Sequence, residues 1–235
     1  MGQANRKQKK KNTSKSSSKW IFWTIGVFSV CILGLLFMGN WSSSKEVAID
    51  YKDQPYLGDK TAPVKILEFG DYKCPYCKNF NELFLPQIEK ELIETGQAKF
   101  YFINYAFINV DSTRAAQFGE TVYQVLGNDM FWKFHERLYS KQPEDMKYEK
   151  IDLYTETFLT DTLKEVANED DVEKVVQAFE TQPYKEALKK DESYVQKLNV
   201  QSTPSLFVNG KQFEGNSFED LKKMVEQAAK EKKDE

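Results

Sequence analysis

Apolar side chains recur along the chain in patterns that predict alternating strands and helices. "APVKILEFG" packs four large apolar residues between a proline and a glycine, which is typical of a buried strand. Apolar residues then recur at every fourth position from Phe80 to Leu92, as on one face of a helix, and Pro86 is expected to kink that helix. "AKFYFINYAF", from Ala98, predicts a second strand. The order strand, helix, strand indicates a parallel βαβ unit.

The segment from residue 112 to 199 has helical periodicity throughout and predicts an all-helical block. Strand patterns return in "SLFVNG" and "KQFEG", joined by an Asn-Gly turn, and a last amphipathic helix is predicted for residues 217–230. We therefore predict an α/β domain of residues 56–111 and 200–235, split by a helical insertion of residues 112–199.

A longer apolar run precedes this domain. "WIFWTIGVFSVCILGLLFMG", residues 20–39, holds no charge, and as a helix it would span about 30 Å, enough to cross a membrane once. Residues 1–19 are basic, so the positive-inside rule places that tail in the cytoplasm and residues 40–235 outside, with residues 40–55 as a stalk. A cleaved signal peptide is the alternative, but its apolar region is usually only about 7–15 residues. We expect an uncleaved, single-pass anchor in the cell membrane, with Cys31 as a packing or lipid-facing residue.

The charge is unevenly spread along the chain. The tail of residues 1–19 holds seven Lys and Arg residues and no acid, so the remaining residues carry a net charge of about -10. Phosphate binding needs a basic surface, and we therefore expect no nucleic-acid partner.

Two of the three cysteines lie three residues apart in "KCPYCKNF". If Cys74 stands at the helix entry, Pro75 takes the first helical position, where its missing N–H costs nothing, and Cys77 falls one turn later on the same face. The free N–H groups and partial positive charge of a helix N-terminus stabilise a thiolate at Cys74, with weaker support expected from Lys73 and Lys78. A stabilised thiolate favours the dithiol over the disulfide, which makes the disulfide a better oxidant.

A metal site or a structural disulfide fits the sequence less well than a redox-active cysteine pair. Tetrahedral zinc needs four ligands, and the chain has no second cysteine pair and one histidine, His135, so no metal is expected. A structural disulfide closing so small a loop would restrain little of the unfolded chain. "NEDDVE", residues 168–173, lacks the ligand spacing of an EF-hand and is interpreted as a helix N-cap with an acidic first turn rather than a calcium site.

"EFGDYKCPYC" and, much later, "STPSLFVNG" resemble the thioredoxin superfamily, and the helical insertion is similar to that of its DsbA branch. The resemblance covers about residues 56–235. It implies a thioredoxin-like fold in which Cys74 is the exposed nucleophile and Cys77 the shielded resolving cysteine. It also implies that Thr203 and Pro204 form a cis-proline loop beside the two sulfurs.

The resemblance extends to residues around the cysteine pair. It implies that Glu68 lies beneath the site and exchanges protons with the resolving cysteine, although an ordinary strand carboxylate remains the alternative. Pro75 and Tyr76 are expected to border the bound substrate. The best-known oxidising members carry histidine where Tyr76 stands, and CPYC is also the glutaredoxin pairing, so the strength of the oxidant stays open. His135 is expected to be a packing or surface residue.

These expectations combine into one functional hypothesis. The protein is expected to be a membrane-tethered thiol-disulfide oxidoreductase that introduces disulfide bonds into unfolded exported proteins with free thiols. Its working group is the Cys74-Cys77 disulfide, with no other cofactor. The resemblance implies a DsbB-like, quinone-linked membrane protein as the reoxidant. An extracytoplasmic thiol reductant and a non-redox tethered chaperone or binding module remain alternatives.

Overall fold

Five strands form one sheet in the computed structural model, which describes residues 49–232. In space the strands follow the order β1-β3-β2-β4-β5, so β2 is central. β2 and β3 are parallel, and every other neighbouring pair is antiparallel. The strands are β1 (Tyr56–Leu57), β2 (Val64–Gly70), β3 (Ala98–Asn104), β4 (Ser205–Val208) and β5 (Lys211–Gln212).

Helix α1, residues 75–93, joins the two parallel strands and completes the predicted βαβ unit. It alternates between α-helical and π-helical turns: Pro75–Asn79 and Leu85–Ile88 are α-helical, and Phe80–Phe84 and Glu89–Ile93 are π-helical. Pro86 has no N–H to donate one turn back, and it lies at the start of the second α-helical turn, where none is needed. The expected helix is therefore present as a continuous run of four short α-helical and π-helical turns.

The block between β3 and β4 is helical, as predicted, and a last helix follows β5. Its helices are α2 (Val110–Leu126), α3 (Asn128–Ser140), α4 (Glu156–Lys164), α5 (Glu169–Glu180) and α6 (Lys185–Lys197), with a 3-10 turn at Met146–Lys150, and the final helix is α7 (Phe218–Glu231). The side chain of Asn168 accepts from the amide of Asp171 and caps α5, as interpreted from "NEDDVE". Within residues 49–232, no group of three or more His, Cys, Asp or Glu side chains is placed to hold a metal ion.

The two faces of the sheet cover separate cores, because alternate strand residues point to opposite sides. Ile66 and Phe102 lie in the larger core with both cysteines, whereas Leu67 and Phe69 lie in the smaller one with residues of α6. The cysteine pair therefore belongs to the face that α1 and the first helices of the insertion cover.

The segment before β1 is more closely attached than the predicted stalk of residues 40–55. Ile49 and Tyr51 pack against the smaller core, and the buried side-chain amide of Gln54 donates to Asp191 at 2.9 Å. The predicted anchor, residues 20–39, lies outside the described residues. Among residues 49–232, no helix has the length and apolar content needed to span a membrane.

Candidate active site

The two cysteines open helix α1 directly after the central strand. Cys74 is the N-cap residue, with an extended backbone (φ −77°, ψ 118°), and Pro75 lies in the first turn. The amides of Cys77 and Lys78 both donate to the carbonyl of Cys74 at 3.1 Å. Cys77 consequently lies one turn into the helix on the same side as Cys74, as its spacing predicted.

Both cysteines are free thiols, and both are nearly inaccessible. Cys77 has no exposed surface, and Cys74 keeps only 4 % of its own. The resemblance implied an exposed nucleophile, and the structure corrects that expectation. The sulfur of Cys74 lies under the loop at Thr203, to whose carbonyl its thiol donates at 3.3 Å.

The covering loop is brought to the cysteines by the pairing of β2 with β4. Ser205 lies opposite Phe69, so the residues just before β4 reach the end of β2. The Thr203-Pro204 peptide bond is cis, the form that the family resemblance implied. The hydroxyl of Thr203 is buried and has no hydrogen-bond partner among the described residues, so it is free to donate to a thiolate at Cys74.

The environment lowers the pKa of Cys74 to about 7. The largest cause is a hydrogen bond from the Cys77 thiol, which outweighs the opposing effect of burial. The Thr203 side chain and the amides of Cys77 and Tyr76 lower the pKa further. At neutral pH a substantial fraction of Cys74 is therefore thiolate, the form that attacks and leaves in disulfide exchange.

Burial raises the pKa of Cys77 well above the ordinary thiol value. Its hydrogen bond to Cys74 and the nearby charge of Glu68 raise that pKa further. The two sulfurs are therefore unequal, with a thiolate favoured at Cys74 and a thiol at Cys77.

Lys73 and Lys78 do not give the thiolate the support that the sequence analysis expected. The ammonium group of Lys73 lies 2.9 Å from the carboxylate of Asp111, and that of Lys78 lies 2.6 Å from Glu144. Each positive charge is balanced by its own carboxylate, so the helix amides and the neighbouring side-chain donors remain as the source of thiolate stabilisation.

Glu68 lies within β2, on the face that carries the cysteines, and is almost fully buried. Neither carboxyl oxygen has a hydrogen-bond partner among the described residues. Burial first, and then the charge of Cys74, raise the pKa of Glu68 well above the ordinary carboxyl value, which favours its protonated form. An acid in this state can give a proton to a neighbouring thiolate.

Tyr76 and His135 occupy contrasting positions. Tyr76 projects from the first turn of α1 with 65 % of its surface exposed, and its neighbour Pro75 is half-buried. His135 is fully buried among aromatic rings, with Nδ1 3.0 Å from the hydroxyl of Tyr72. Burial lowers the pKa of His135 to about 3, so it packs as a neutral side chain, which agrees with the packing role expected for it.

Asp71 fixes the backbone before Cys74, a role that the sequence analysis did not assign to it. Its carboxylate accepts hydrogen bonds from the amides of Lys73 at 2.8 Å, Phe107 at 3.0 Å and Ile108 at 3.1 Å, and its carbonyl accepts from the amide of Cys74 at 2.9 Å. The bond to an amide two residues later is the Asx-turn pattern, a local signal that could have indicated this role.

Two thiols of such different acidity, one hydrogen-bonded to the other at a helix start, are suited to disulfide exchange rather than to holding the fold together. The sheet, the helix and the covering loop together place the chain in the class of thioredoxin-like thiol-disulfide oxidoreductases.

Comparison with known proteins narrows this class. A family sequence model described as thioredoxin matches residues 50–227, and the chain belongs to that family. It is 35% identical to the probable disulfide bond formation protein D of Bacillus anthracis over 222 residues, covering 92% of this chain and 99% of that protein. It is 36% identical to disulfide bond formation protein D of Bacillus subtilis (strain 168) over 193 residues, covering 82% of this chain and 83% of that one.

Solved structures agree with the sequence relatives. Oxidised BdbD from Bacillus subtilis matches with a TM-score of 0.70 at 35% identity, covering 77% of this chain and 96% of that chain. DsbA from Chlamydia trachomatis matches with a TM-score of 0.64 at 23% identity, covering 75% of this chain and 91% of that chain, and shows the shared fold. The resemblance inferred from the sequence is confirmed, and the protein is a thiol-disulfide oxidoreductase with a thioredoxin-like α/β fold and a helical insertion.

Proposed function

We propose that this protein is a membrane-tethered oxidase that introduces disulfide bonds into exported proteins through Cys74 and Cys77. The observation that carries the proposal is the contrast between the two thiols, with a pKa lowered to about 7 at Cys74 and raised at Cys77. Stabilising the Cys74 thiolate stabilises the reduced protein, so the disulfide form becomes the better oxidant. The names of the Bacillus relatives, disulfide bond formation proteins, support the same direction of electron flow.

In the proposed reaction a client thiolate attacks Sγ of Cys74 and breaks the Cys74-Cys77 disulfide. Cys77 leaves as a thiolate and takes a proton, for which the buried Glu68, whose pKa is raised, is the proposed source. A second thiolate of the client then attacks the client sulfur of the mixed disulfide and releases Cys74 as a thiolate. The client loses two electrons and two thiol protons and gains a disulfide. The enzyme ends reduced, with Cys77 as a thiol and Cys74 as a thiolate, and Glu68 regains its proton from solvent.

Exposed apolar side chains around the site support unfolded polypeptides as the clients. Tyr76 lies beside Cys74 and is exposed. Phe107 and Ile151 are also largely exposed and lie near the residues before Cys74, because the amide of Phe107 donates to Asp71 and the carbonyl of Ile151 accepts from Lys73. An unfolded chain presents apolar side chains that can cover such a surface. The client segment is proposed to lie along the cis-proline loop and Pro75, with its reacting sulfur at Cys74.

We further propose that residues 20–39 anchor the protein and that the oxidoreductase domain lies outside the membrane. The basic residues 1–19 before that apolar run support this orientation. A reoxidant must restore the disulfide after each cycle, and the DsbA-like relatives favour a DsbB-like, quinone-linked membrane protein in that role.

Trapping of mixed disulfides tests the proposal in cells that express the full chain. A Cys77→Ala variant cannot resolve the intermediate and should accumulate exported proteins on Cys74, visible as adducts that reduction removes. Cys74→Ala is the matched control and should form none. Absence of adducts would favour a non-redox binding module, and a wild-type pair kept fully reduced in cells would favour a reductant.

A further inference from the structure

Lys73 directly precedes Cys74, and although it is a lysine its side chain is completely buried. Its ammonium group has three donors, and they reach the carboxylate of Asp111 at 2.9 Å and the carbonyls of Tyr148 at 2.7 Å and Ile151 at 2.6 Å. Burying a charge is costly even when it is paired. The reaction proposed above makes no use of this charge, so its position beside the nucleophile needs another explanation.

Asp111 connects Lys73 to the helical insertion. It lies in the first turn of α2 with no exposed surface, and its Oδ2 atom also accepts from the amides of Leu153 at 2.8 Å and Tyr154 at 3.1 Å. The start of α2, the 3-10 turn and the residues after that turn therefore meet at one lysine.

The backbone carbonyls of the same segment are also held by the insertion. The hydroxyl of Tyr148 donates to the carbonyl of Lys73. The hydroxyl of Tyr154 and the side-chain amide of Gln142 each donate to the carbonyl of Tyr72 at 2.9 Å. Side chains of the insertion thus fix the two residues before the first cysteine at both their side chains and their carbonyls.

We propose that Lys73 and Asp111 form a buried clamp that holds Cys74 at the start of α1, and that Lys73 is a positioning residue for disulfide exchange. The proposal rests on the proposed function of Cys74 and Cys77. Amides of the first helical turn reach the sulfur only while the N-cap backbone keeps its orientation. Because Asp111 offsets the charge of Lys73, the clamp acts through the position of the backbone and not through direct attraction of the thiolate.

The test compares variants of the purified protein in equilibrium with reduced and oxidised glutathione. Lys73→Met, alone and combined with Asp111→Leu, removes the clamp but keeps the side-chain volume close to the original. We expect an about tenfold lower equilibrium constant for oxidation of glutathione, which corresponds to a potential about 30 mV more negative, together with a higher pKa of Cys74. Lys78→Met removes a lysine charge beside Cys77 but leaves the clamp intact, and it should change the constant by less than about twofold.

Tyr148→Phe keeps the measurement decisive if the Lys73 variants do not fold, because it removes only the hydroxyl that donates to the Lys73 carbonyl. It should shift the constant in the same direction by about twofold to threefold. A purely structural role would lower the free energy of unfolding and leave the constant unchanged in folded protein, and that result overturns the clamp. If the wild-type protein shows no dithiol-disulfide equilibrium at all, the proposed function fails, and the clamp fails with it.

Discussion

Replacing Cys77 with alanine should raise the pKa of Cys74, because it removes the hydrogen bond that contributes most to lowering that pKa. Cys77→Ser retains a donor at the same place and is the matched control. The comparison separates the hydrogen bond from the loss of the second sulfur, which both variants share.

The size of the effect follows from the contacts of Cys74. Its pKa falls from an ordinary value of 9.0 to about 7 although burial raises it, so the favourable contacts together must lower the pKa by more than two. Four such contacts act on the sulfur, and the Cys77 thiol is the largest, so its loss should raise the pKa by about 0.5 to 1 unit. The thiolate fraction at pH 7 should then fall from about one half to between one quarter and one tenth.

Ultraviolet absorbance of the thiolate, followed across a pH titration, measures this pKa directly. The alkylation rate at neutral pH should fall in the same proportion in Cys77→Ala and remain close to the expected wild-type value in Cys77→Ser. Identical titration curves for the two variants would contradict this prediction, because a donor side chain at position 77 would then make no difference to the pKa of Cys74.

Three further predictions follow from the same region and from the buried carboxyl groups. Thr203→Val should raise the pKa of Cys74, measured by thiolate absorbance, and Thr203→Ser should not, because only serine keeps the hydroxyl that can donate to the sulfur. Glu68 has a raised pKa in the folded state, so its contribution to stability is complete below its unfolded pKa and is lost as pH rises through the folded value. Glu68→Gln should therefore gain stability relative to wild type as pH rises, which urea unfolding of the reduced proteins at acidic and mildly alkaline pH measures. Burial raises the pKa of Asp191 from 3.8 to about 6, so its contribution to the free energy of unfolding should fall by about 2–3 kcal/mol between about pH 4 and 7. Asp191→Asn should flatten that pH dependence, which urea unfolding across the same range measures.

Features with a local signal could be predicted from the sequence. The spacing of Cys74, Pro75 and Cys77 indicated a helix start, and the apolar runs on either side indicated the parallel strands β2 and β3. The Asn-Gly pair indicated the turn between β4 and β5. In each case residues close together in the chain determine the conformation, so a short stretch of sequence carries the information.

Features that depend on tertiary packing could not be predicted in this way. Lys73 looked like a free positive charge beside the nucleophile, because its partner Asp111 lies 38 residues away in the chain. Strand β1 has two residues, and its pairing with β3 leaves no periodic pattern. The burial of Cys74 depends on the loop at Thr203, which is far along the chain, and no local sequence pattern indicates that this loop covers the sulfur.

The reduction potential of the Cys74-Cys77 couple distinguishes an oxidase from a reductant. It can be measured on the purified protein by equilibration with defined ratios of reduced and oxidised glutathione. A thiolate stabilised at Cys74 makes the couple more oxidising than an ordinary dithiol, and the proposed oxidase requires a potential clearly above that of thioredoxin, which is about −270 mV. A potential at or below that value would contradict the proposed oxidase and indicate a reductant.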